Sequence, residues 1–129
     1  MMRWFLHAKL HGAIVTEAEL HYKGSITIDE ALLEKSGLMA GEKVLVVAKQ
    51  SGARLETYVI PGKRDSGTIC MNGPAAKLVT KGEQIVIMGF AMAEKTLPAK
   101  AVLVDKENKF VKYLPGYGLD GEPWTDEQG

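Results

Sequence analysis

A glycine followed by a serine, Gly24-Ser25, stands between two segments of strand-like composition. A serine hydroxyl can attack the carbonyl carbon of the preceding residue, which converts the amide into an ester. β-Elimination then cuts the chain, and hydrolysis of the resulting dehydroalanine with loss of ammonia gives an N-terminal pyruvoyl group. Glycine before the serine has no Cβ and tolerates the strained backbone that this rearrangement needs. Taken alone, however, Gly-Ser is more simply interpreted as a turn between strands.

Two groups of polar residues share a face within predicted strands. Lys9 and His11 have one parity in the first strand, and Arg54, Glu56 and Tyr58 have one parity in a later strand. An arginine binds a carboxylate with two parallel hydrogen bonds, and a phenol beside it can donate a proton. Solvated strand faces and a cross-strand polar ladder are the alternatives.

The dipeptide Asn72-Gly73 is a strong signal for a hairpin turn. In a binding site, the backbone N–H groups around Gly73, Pro74 and Ala75 would be the useful donors. Pro74 has no N–H and cannot contribute one. The sequence alone leaves both interpretations open.

The histidines and the cysteine give little support for a metal site. His7 and His11 are four residues apart, which suits zinc ligands on a helix. In a strand, four residues span about 13 Å, too far for one ion. We therefore predict no metal. The single cysteine, Cys70, permits no internal disulfide, and we interpret it as a small buried hydrophobic residue of a protein from the reducing cytoplasm.

Composition excludes several functional classes. The 129 residues are enough for one domain, with 46% apolar and 25% charged residues. Sixteen basic and sixteen acidic residues leave no formal net charge, which argues against a nucleic-acid partner. The longest nearly apolar run, 85–93, is far short of the roughly 20 residues that cross a bilayer, so we expect no membrane partner.

Hydrophobic patterning predicts many short strands and one modest helix. Residues 3–15 alternate, with Trp4 expected on the buried side, and Asp29 is predicted to cap a helix over 30–35 that ends at Gly37. Further strands are predicted at 20–22, 25–28, 44–48, 54–60, 68–71, 84–88, 101–104 and 110–114. This pattern is typical of a compact β-barrel over residues 1–114. The glycine-rich, acidic residues 115–129 are predicted to form a mobile tail.

In this context the Gly-Ser pair resembles the processing site of a known family, the pyruvoyl-dependent aspartate 1-decarboxylases. The resemblance covers residues 1–90 clearly and the remainder weakly. Its segments occur in the same order and at matching separations: Lys-Leu-His at 9–11, Val-Thr at 15–16, Leu-His-Tyr-Lys-Gly-Ser at 20–25, Ile-Asp at 28–29, Arg54, Thr-Tyr at 57–58 and Asn-Gly-Pro-Ala-Ala at 72–76.

The resemblance implies a mainly β protein, a double-psi β-barrel with one or two short helices, assembled as a homotetramer with active sites between protomers. It implies autocatalytic cleavage between Gly24 and Ser25, into a β chain of residues 1–24 and an α chain of residues 25–129. Thr57 would hold the Gly24 carbonyl during this step, and a maturation factor is a possible partner.

The resemblance also implies an activity, decarboxylation of L-aspartate to β-alanine and CO2 for pantothenate and coenzyme A synthesis. The covalent pyruvoyl group from Ser25 would form a Schiff base with the substrate, and Tyr58 would be the proton donor. Substrate-binding residues would be Lys9, Arg54, Thr57, Asn72, Gly73, Pro74 and Ala75, with His11 and Tyr22 as supporting residues.

The chain departs from the usual family pattern at three positions. Gly12 stands where many members have arginine, Val47 where some have tryptophan, and Pro74 where alanine is common. The first two changes would loosen a wall or remove a charge near the site, and the third removes one backbone donor. None of them touches Gly24, Ser25, Thr57 or Tyr58. The alternatives are the same chemistry on another acidic amino acid such as L-glutamate, or a non-catalytic β-barrel binding module.

Overall fold

The computed structural model describes residues 1–21 and 23–125. The strands are β1 (Arg3–Ile14), β2 (Glu17–Glu19), β3 (Ser25–Asp29), β4 (Lys43–Ala48), β5 (Arg54–Gly62), β6 (Ile69–Asn72), β7 (Gln84–Ala93), β8 (Lys100–Val104) and β9 (Phe110–Tyr113). Helix α1 (Glu30–Ser36) and two 3-10 turns, Gly73–Lys77 and Leu119–Gly121, complete the fold. None of these helices has the length and apolar character needed to cross a membrane.

The strands form one mixed sheet in the order β2-β6-β3-β5-β4-β7-β1-β8-β9. Pairs β1–β8, β2–β6 and β3–β5 are parallel, whereas the other neighbouring strands are antiparallel. This confirms the prediction of a mainly β protein, and the mixed sheet agrees with a double-psi β-barrel. The core lies inside it, with Ile26, Ile28, Val46, Ile85 and Ile87 fully buried.

Strand β1 follows the predicted alternation only in its middle. Ala8 and Leu10 are buried, but the pairing with β7 shifts register between Leu6 and Ala8 and again between Leu10 and Ala13. Each irregularity changes the face on which the following residues lie. The prediction that Trp4 is buried was therefore wrong, since its side chain is 68% exposed.

Helix α1 forms where its capping residues predicted it. The Asp29 carboxylate accepts a hydrogen bond from the Ala31 N–H at 2.8 Å, which satisfies an unpaired donor of the first turn. Gly37 ends the helix in the left-handed region with φ +84°, where an L side chain would be strained. The buried Leu32 and Leu33 attach the helix to the core.

Other elements differ from their predicted bounds. The extended piece predicted at 20–22 lies earlier, as β2. Strand β4 alternates between buried and half-buried residues, because only one of its faces lies against the core. Strand β5 continues through Pro61 and Gly62, beyond its predicted end at residue 60. The strands predicted at 101–104 and 110–114 are present as β8 and β9, and they pair antiparallel.

The C-terminal residues 115–125 fold back toward the barrel. Tyr117 and Trp124 form an antiparallel bridge, and the Ala99 N–H donates to the Tyr117 carbonyl at 2.9 Å. Residues 126–129 lie outside the described residues. Mobility of the tail over 115–129 stays a prediction.

Candidate active site

Ser25 begins β3 and is completely buried. Its hydroxyl donates to the Lys23 carbonyl at 3.3 Å and accepts a hydrogen bond from Asn72 Nδ2 at 2.8 Å. This contact crosses the antiparallel β3–β6 pair, in which Ser25 and Asn72 lie directly opposite each other. The structure therefore brings together two predicted site residues that are far apart in the sequence, and it fixes the position of the serine oxygen.

Two neighbours that sequence reasoning missed hold Asn72 in place. Its Nδ2 also donates to Thr27 Oγ1 at 3.0 Å, and its Oδ1 accepts from Cys70 Sγ at 3.2 Å. The two-residue period of a strand was the available signal, because it puts Thr27 on the face of Ser25 and Cys70 on the face of Asn72. The buried amide of Asn72 thus has partners on both of its ends.

The Cys70 thiol keeps its proton in this arrangement. Burial raises the pKa of the Cys70 thiol, and the negative charges of Glu17 and Glu19 raise it further. A protonated thiol is a weak donor, which agrees with its contact to the Asn72 carbonyl oxygen. The prediction that Cys70 is buried is confirmed. The prediction did not include its polar contact with Asn72.

The segment after Asn72 is a 3-10 turn over Gly73–Lys77, and the hairpin signal of Asn-Gly was misleading. Gly73 has φ +69°, a conformation that glycine adopts without strain. Pro74 lies in the first turn, where a backbone N–H would lack a helical partner, so its missing donor costs the turn nothing. This turn borders the predicted cleavage site, since a Cβ placed on Gly24 would lie 4.0 Å from Pro74 Cδ.

Tyr58 and Thr57 lie on opposite faces of β5. The parallel register pairs Ile26 of β3 with Val59 of β5. Ser25 and Tyr58, which precede these two residues, therefore lie beside each other on adjacent strands. Tyr58 is 40% exposed, whereas Thr57 is half-buried on the face of Val59. The β4–β5 register runs through this point without a shift, which excludes a bulge there. Within the described residues, the Thr57 hydroxyl makes no hydrogen bond to the Gly24 carbonyl.

The two cationic residues expected to bind substrate lie away from Ser25 in the same chain. Arg54 shares the outward face of Tyr58, but four strand residues separate them by about 13 Å. Lys9 lies on β1, and strands β7, β4 and β5 stand between β1 and β3 in the sheet. The Lys9 ammonium donates to the Tyr117 hydroxyl at 2.9 Å. One chain therefore does not assemble the complete predicted set.

His11 lies on the same strand as Lys9 and is exposed. Partial burial lowers the pKa of His11, and the positive charges of Lys9 and Lys49 lower it further. The imidazole is thus neutral at neutral pH and available as a hydrogen-bonding group. Tyr22, the other supporting residue, lies outside the described residues.

Other features of the described chain do not coincide with the predicted site. No group of three or more His, Cys, Asp or Glu side chains in the described ranges is placed to hold a metal ion. A groove of about 250 Å³ is present, but none of the predicted site residues lines it. Its walls are formed by Trp4, Lys43, Val44, Leu45, Glu56 and Phe90.

Comparison with known proteins identifies the family. The family described as aspartate decarboxylase matches residues 1–111 of this chain. The chain belongs to the aspartate decarboxylase family. The match covers every residue of the predicted site.

Curated relatives agree with this family assignment. Aspartate 1-decarboxylase of Bacillus pumilus is 54% identical over 118 residues, which are 88% of this chain and 93% of the relative. The enzyme of that name from Caldicellulosiruptor saccharolyticus is 52% identical over 111 residues, 83% of this chain and 87% of the relative. That of Clostridium botulinum is 49% identical over 116 residues, 87% and 93% of the two chains.

The structure gives a local reason for one departure from the usual aspartate decarboxylase pattern. Gly12 lies at a β1 register shift with φ +88°, and a Cβ there would approach the Val104 carbonyl oxygen to 3.3 Å. Glycine suits this conformation without strain. Val47, the second departure, pairs with Arg54 across the β4–β5 ladder and is half-buried.

Proposed function

We propose that this chain is a self-processing enzyme that decarboxylates L-aspartate to β-alanine and CO2. Family membership and relatives named aspartate 1-decarboxylase support this reaction. The observation that carries the proposal is the buried Ser25 hydroxyl, directly after Gly24, with its oxygen held by Asn72 at 2.8 Å. We place the reaction in the cytoplasm, where β-alanine serves pantothenate and coenzyme A synthesis.

Processing begins with attack of Ser25 Oγ on the Gly24 carbonyl carbon. The C–N bond breaks as the C–O bond forms, which leaves an ester between residues 24 and 25 and a free amine on residue 25. Loss of the Ser25 α-proton then expels the Gly24 carboxylate. One water replaces the nitrogen of the remaining dehydroalanine and releases ammonia. Holding Oγ in one position favours the first step because attack requires a defined approach to the carbonyl.

The residues around Ser25 fit a pyruvoyl group at that position. Asn72 Nδ2 is a buried donor beside residue 25, 2.8 Å from Ser25 Oγ, and the carbonyl oxygens of a pyruvoyl group are hydrogen-bond acceptors. Asn72 would hold the group, and Thr27 and Cys70 would hold Asn72. When formed, the group supplies an electrophilic carbonyl that binds the substrate amine and accepts electrons as CO2 leaves.

The chain's own side chains bind the substrate and deliver a proton. Lys9 and Arg54 would bind the two carboxylates of L-aspartate, since ammonium and guanidinium groups donate hydrogen bonds to carboxylates. The Tyr58 hydroxyl would donate a proton to the carbon that loses CO2. Gly73, Pro74 and Ala75 would border the substrate beside the cleavage site. Thr57 as the group that holds the Gly24 carbonyl stays a prediction.

We propose that the active site is completed by a second copy of the chain within a homotetramer. Lys9 lies on a distant strand from Ser25 in one chain, so a shared site requires another protomer to supply it. The outer face of β1 and β7 also exposes large apolar side chains, with Trp4 68%, Met92 48% and Phe90 39% accessible. Apolar surface of this kind is typical of protein interfaces.

The intact mass of the purified protein under denaturing conditions tests the proposal. We expect two fragments, residues 1–24 and a chain from residue 25 that is one ammonia lighter than a serine-started chain. CO2 release should be faster from L-aspartate than from L-glutamate at equal concentration. A single species of 14.0 kDa after heating, or after incubation with a maturation partner, would exclude self-processing.

A serine pair provides the matched control. Ser25→Ala should leave the chain uncleaved and without CO2 release. Ser51→Ala changes an exposed loop serine whose oxygen accepts only the Ala53 N–H, and it should be processed like the wild type. Cleavage that persists in Ser25→Ala would contradict the mechanism.

A further inference from the structure

The C-terminal segment returns to the Lys9 side chain through Tyr117. Lys9 Nζ donates to the Tyr117 hydroxyl at 2.9 Å, and the same nitrogen lies 5.3 Å from the centre of the Tyr117 ring. We propose that Tyr117 is a positioning residue for Lys9, an inference that rests on the proposed function because Lys9 there binds a substrate carboxylate.

Tyr117 is itself held by the folded C-terminal segment. Its carbonyl accepts from the Ala99 N–H at 2.9 Å, and its ring packs edge-on against Trp124 with 5.5 Å between ring centres. The Glu122 carboxylate accepts from the Gly116 and Tyr117 N–H groups at 2.9 and 3.4 Å. These contacts come from both sides of the residue. The phenol therefore meets Lys9 from a fixed position.

Fixing the ammonium favours binding because a lysine side chain has many rotamers. Ordering such a side chain when a ligand arrives opposes affinity, and a contact already made in the free protein removes part of that cost. The hydroxyl of Tyr117 accepts one of the three ammonium N–H groups. Two N–H groups stay available for a carboxylate. The Tyr117 contact thus orders Lys9 and leaves it able to bind.

The proposal extends the substrate site beyond the residues that the sequence motifs indicated. Tyr117 lies outside the family match, which ends at residue 111. It also lies in the glycine-rich segment that the sequence predicted to be a mobile tail. A glycine-rich acidic segment is not expected to contribute to a substrate site. In the structure, however, its Tyr117 contacts Lys9, which is proposed to bind the substrate.

The test is a tyrosine-to-phenylalanine change at position 117, with steady-state kinetics on L-aspartate. Tyr117→Phe removes the acceptor and keeps the ring, so we expect KM to rise about fivefold, as for loss of one hydrogen bond to an ordered group. Turnover per processed chain should change less than about twofold, because the reacting atoms are untouched. Tyr117→Leu also removes the ring and should raise KM further.

Inhibition by succinate supplies a second measurement. Succinate has two carboxylates and no amine, so its inhibition constant depends on carboxylate binding alone. We expect this constant and KM to rise in parallel in Tyr117→Phe. The matched control is Tyr113→Phe, which removes a phenol that donates to the Lys35 carbonyl at 2.8 Å, away from Lys9. Both constants should stay at wild-type values there.

The outcomes separate this inference from the proposed function. Tyr117→Phe with KM and succinate inhibition equal to those of Tyr113→Phe would overturn the positioning role while the wild type stays active. A fall in turnover at unchanged KM would overturn it as well, since that pattern indicates a structural effect. Wild-type protein that neither self-cleaves nor releases CO2 from L-aspartate would instead contradict the proposed function.

Discussion

Asn72 Nδ2 donates to Ser25 Oγ at 2.8 Å across the β3–β6 ladder, and both residues are buried. The same nitrogen donates to Thr27 Oγ1 at 3.0 Å, so the amide bridges two hydroxyl groups on one face of β3. In the proposed mechanism this amide holds the nucleophile before cleavage and lies beside the pyruvoyl group afterwards. Asn72 would therefore take part in both processing and decarboxylation.

Replacement of Asn72 by alanine should slow processing. The lost hydrogen bond is worth about 1 kcal/mol, which corresponds to a decrease in the cleavage rate of roughly five- to tenfold. Intact mass measured at successive times after synthesis gives this rate. Thr27→Val is the control, because it removes the other acceptor and keeps the contact to Ser25. Wild-type cleavage in Asn72→Ala would show that this contact does not assist processing.

Replacement of Tyr58 by phenylalanine should separate decarboxylation from processing. We expect self-cleavage to proceed, and CO2 release per processed chain to fall about a hundredfold or more, as for loss of a positioned proton donor. Mass analysis and CO2 release on the same sample give both quantities. Tyr113→Phe loses an equivalent hydroxyl on β9 and should keep full activity. Undiminished CO2 release from Tyr58→Phe would assign the proton to another group.

Hybrid oligomers test whether Lys9 and Ser25 act across two chains. Ser25→Ala and Lys9→Met should each be inactive when produced alone. Produced together with different affinity tags, they should form hybrids in which one chain supplies Ser25 and the other supplies Lys9. CO2 release by the doubly purified hybrids is the expected result. Hybrids that assemble and stay inactive would place both residues of a site in one chain.

His11 provides a prediction for pH. Burial and the charges of Lys9 and Lys49 lower the pKa of His11 below its ordinary value of 6.5, so the unfolded chain binds a proton at this site more readily than the folded chain. The contribution of His11 to the free energy of unfolding is therefore fully present above pH 6.5. It decreases as the pH falls from 6.5 toward the lower pKa that His11 has in the folded protein. Denaturation of wild type and His11→Gln at pH 7.5 and about pH 5.5 should show this difference.

The charges behind the His11 shift can be removed one at a time. Lys9→Met and Lys49→Gln should each raise the pKa of His11, and Lys9→Met should raise it more, because the Lys9 charge has the larger effect. NMR titration of the His11 ring protons measures this directly. If the pKa of His11 is unchanged in both variants, burial alone causes its shift.

Capping residues and hydrophobic alternation correctly predicted the elements whose structure depends on residues close together in the sequence. The Asp29 carboxylate and Gly37 delimit α1 because a cap satisfies donors within one turn. The middle of β1 alternates as predicted, since Ala8 and Leu10 face the core. The exposed position of Trp4 was not predictable, because it follows from register shifts against β7, a strand distant in sequence.

The candidate site divides in the same way. Gly24-Ser25 and the order of the surrounding segments indicated the chemistry from the sequence, since cleavage depends on adjacent atoms of the chain. The partners of the nucleophile required the fold, because Asn72 reaches Ser25 only through the β3–β6 register. The strand period places Thr27 on the face of Ser25 and Cys70 on the face of Asn72, and the register brings these faces together.

The sequence by itself determined the mainly β class and the capped helix, and it indicated the bond at which we propose that the chain cuts itself, because each depends on residue types and short-range geometry. Only the tertiary structure decided that Lys9 lies away from Ser25 in one chain, and that Tyr117 returns from the C-terminal segment to contact Lys9. These relationships depend on strand order and on contacts between residues far apart in the chain. Local propensity contains no information about either.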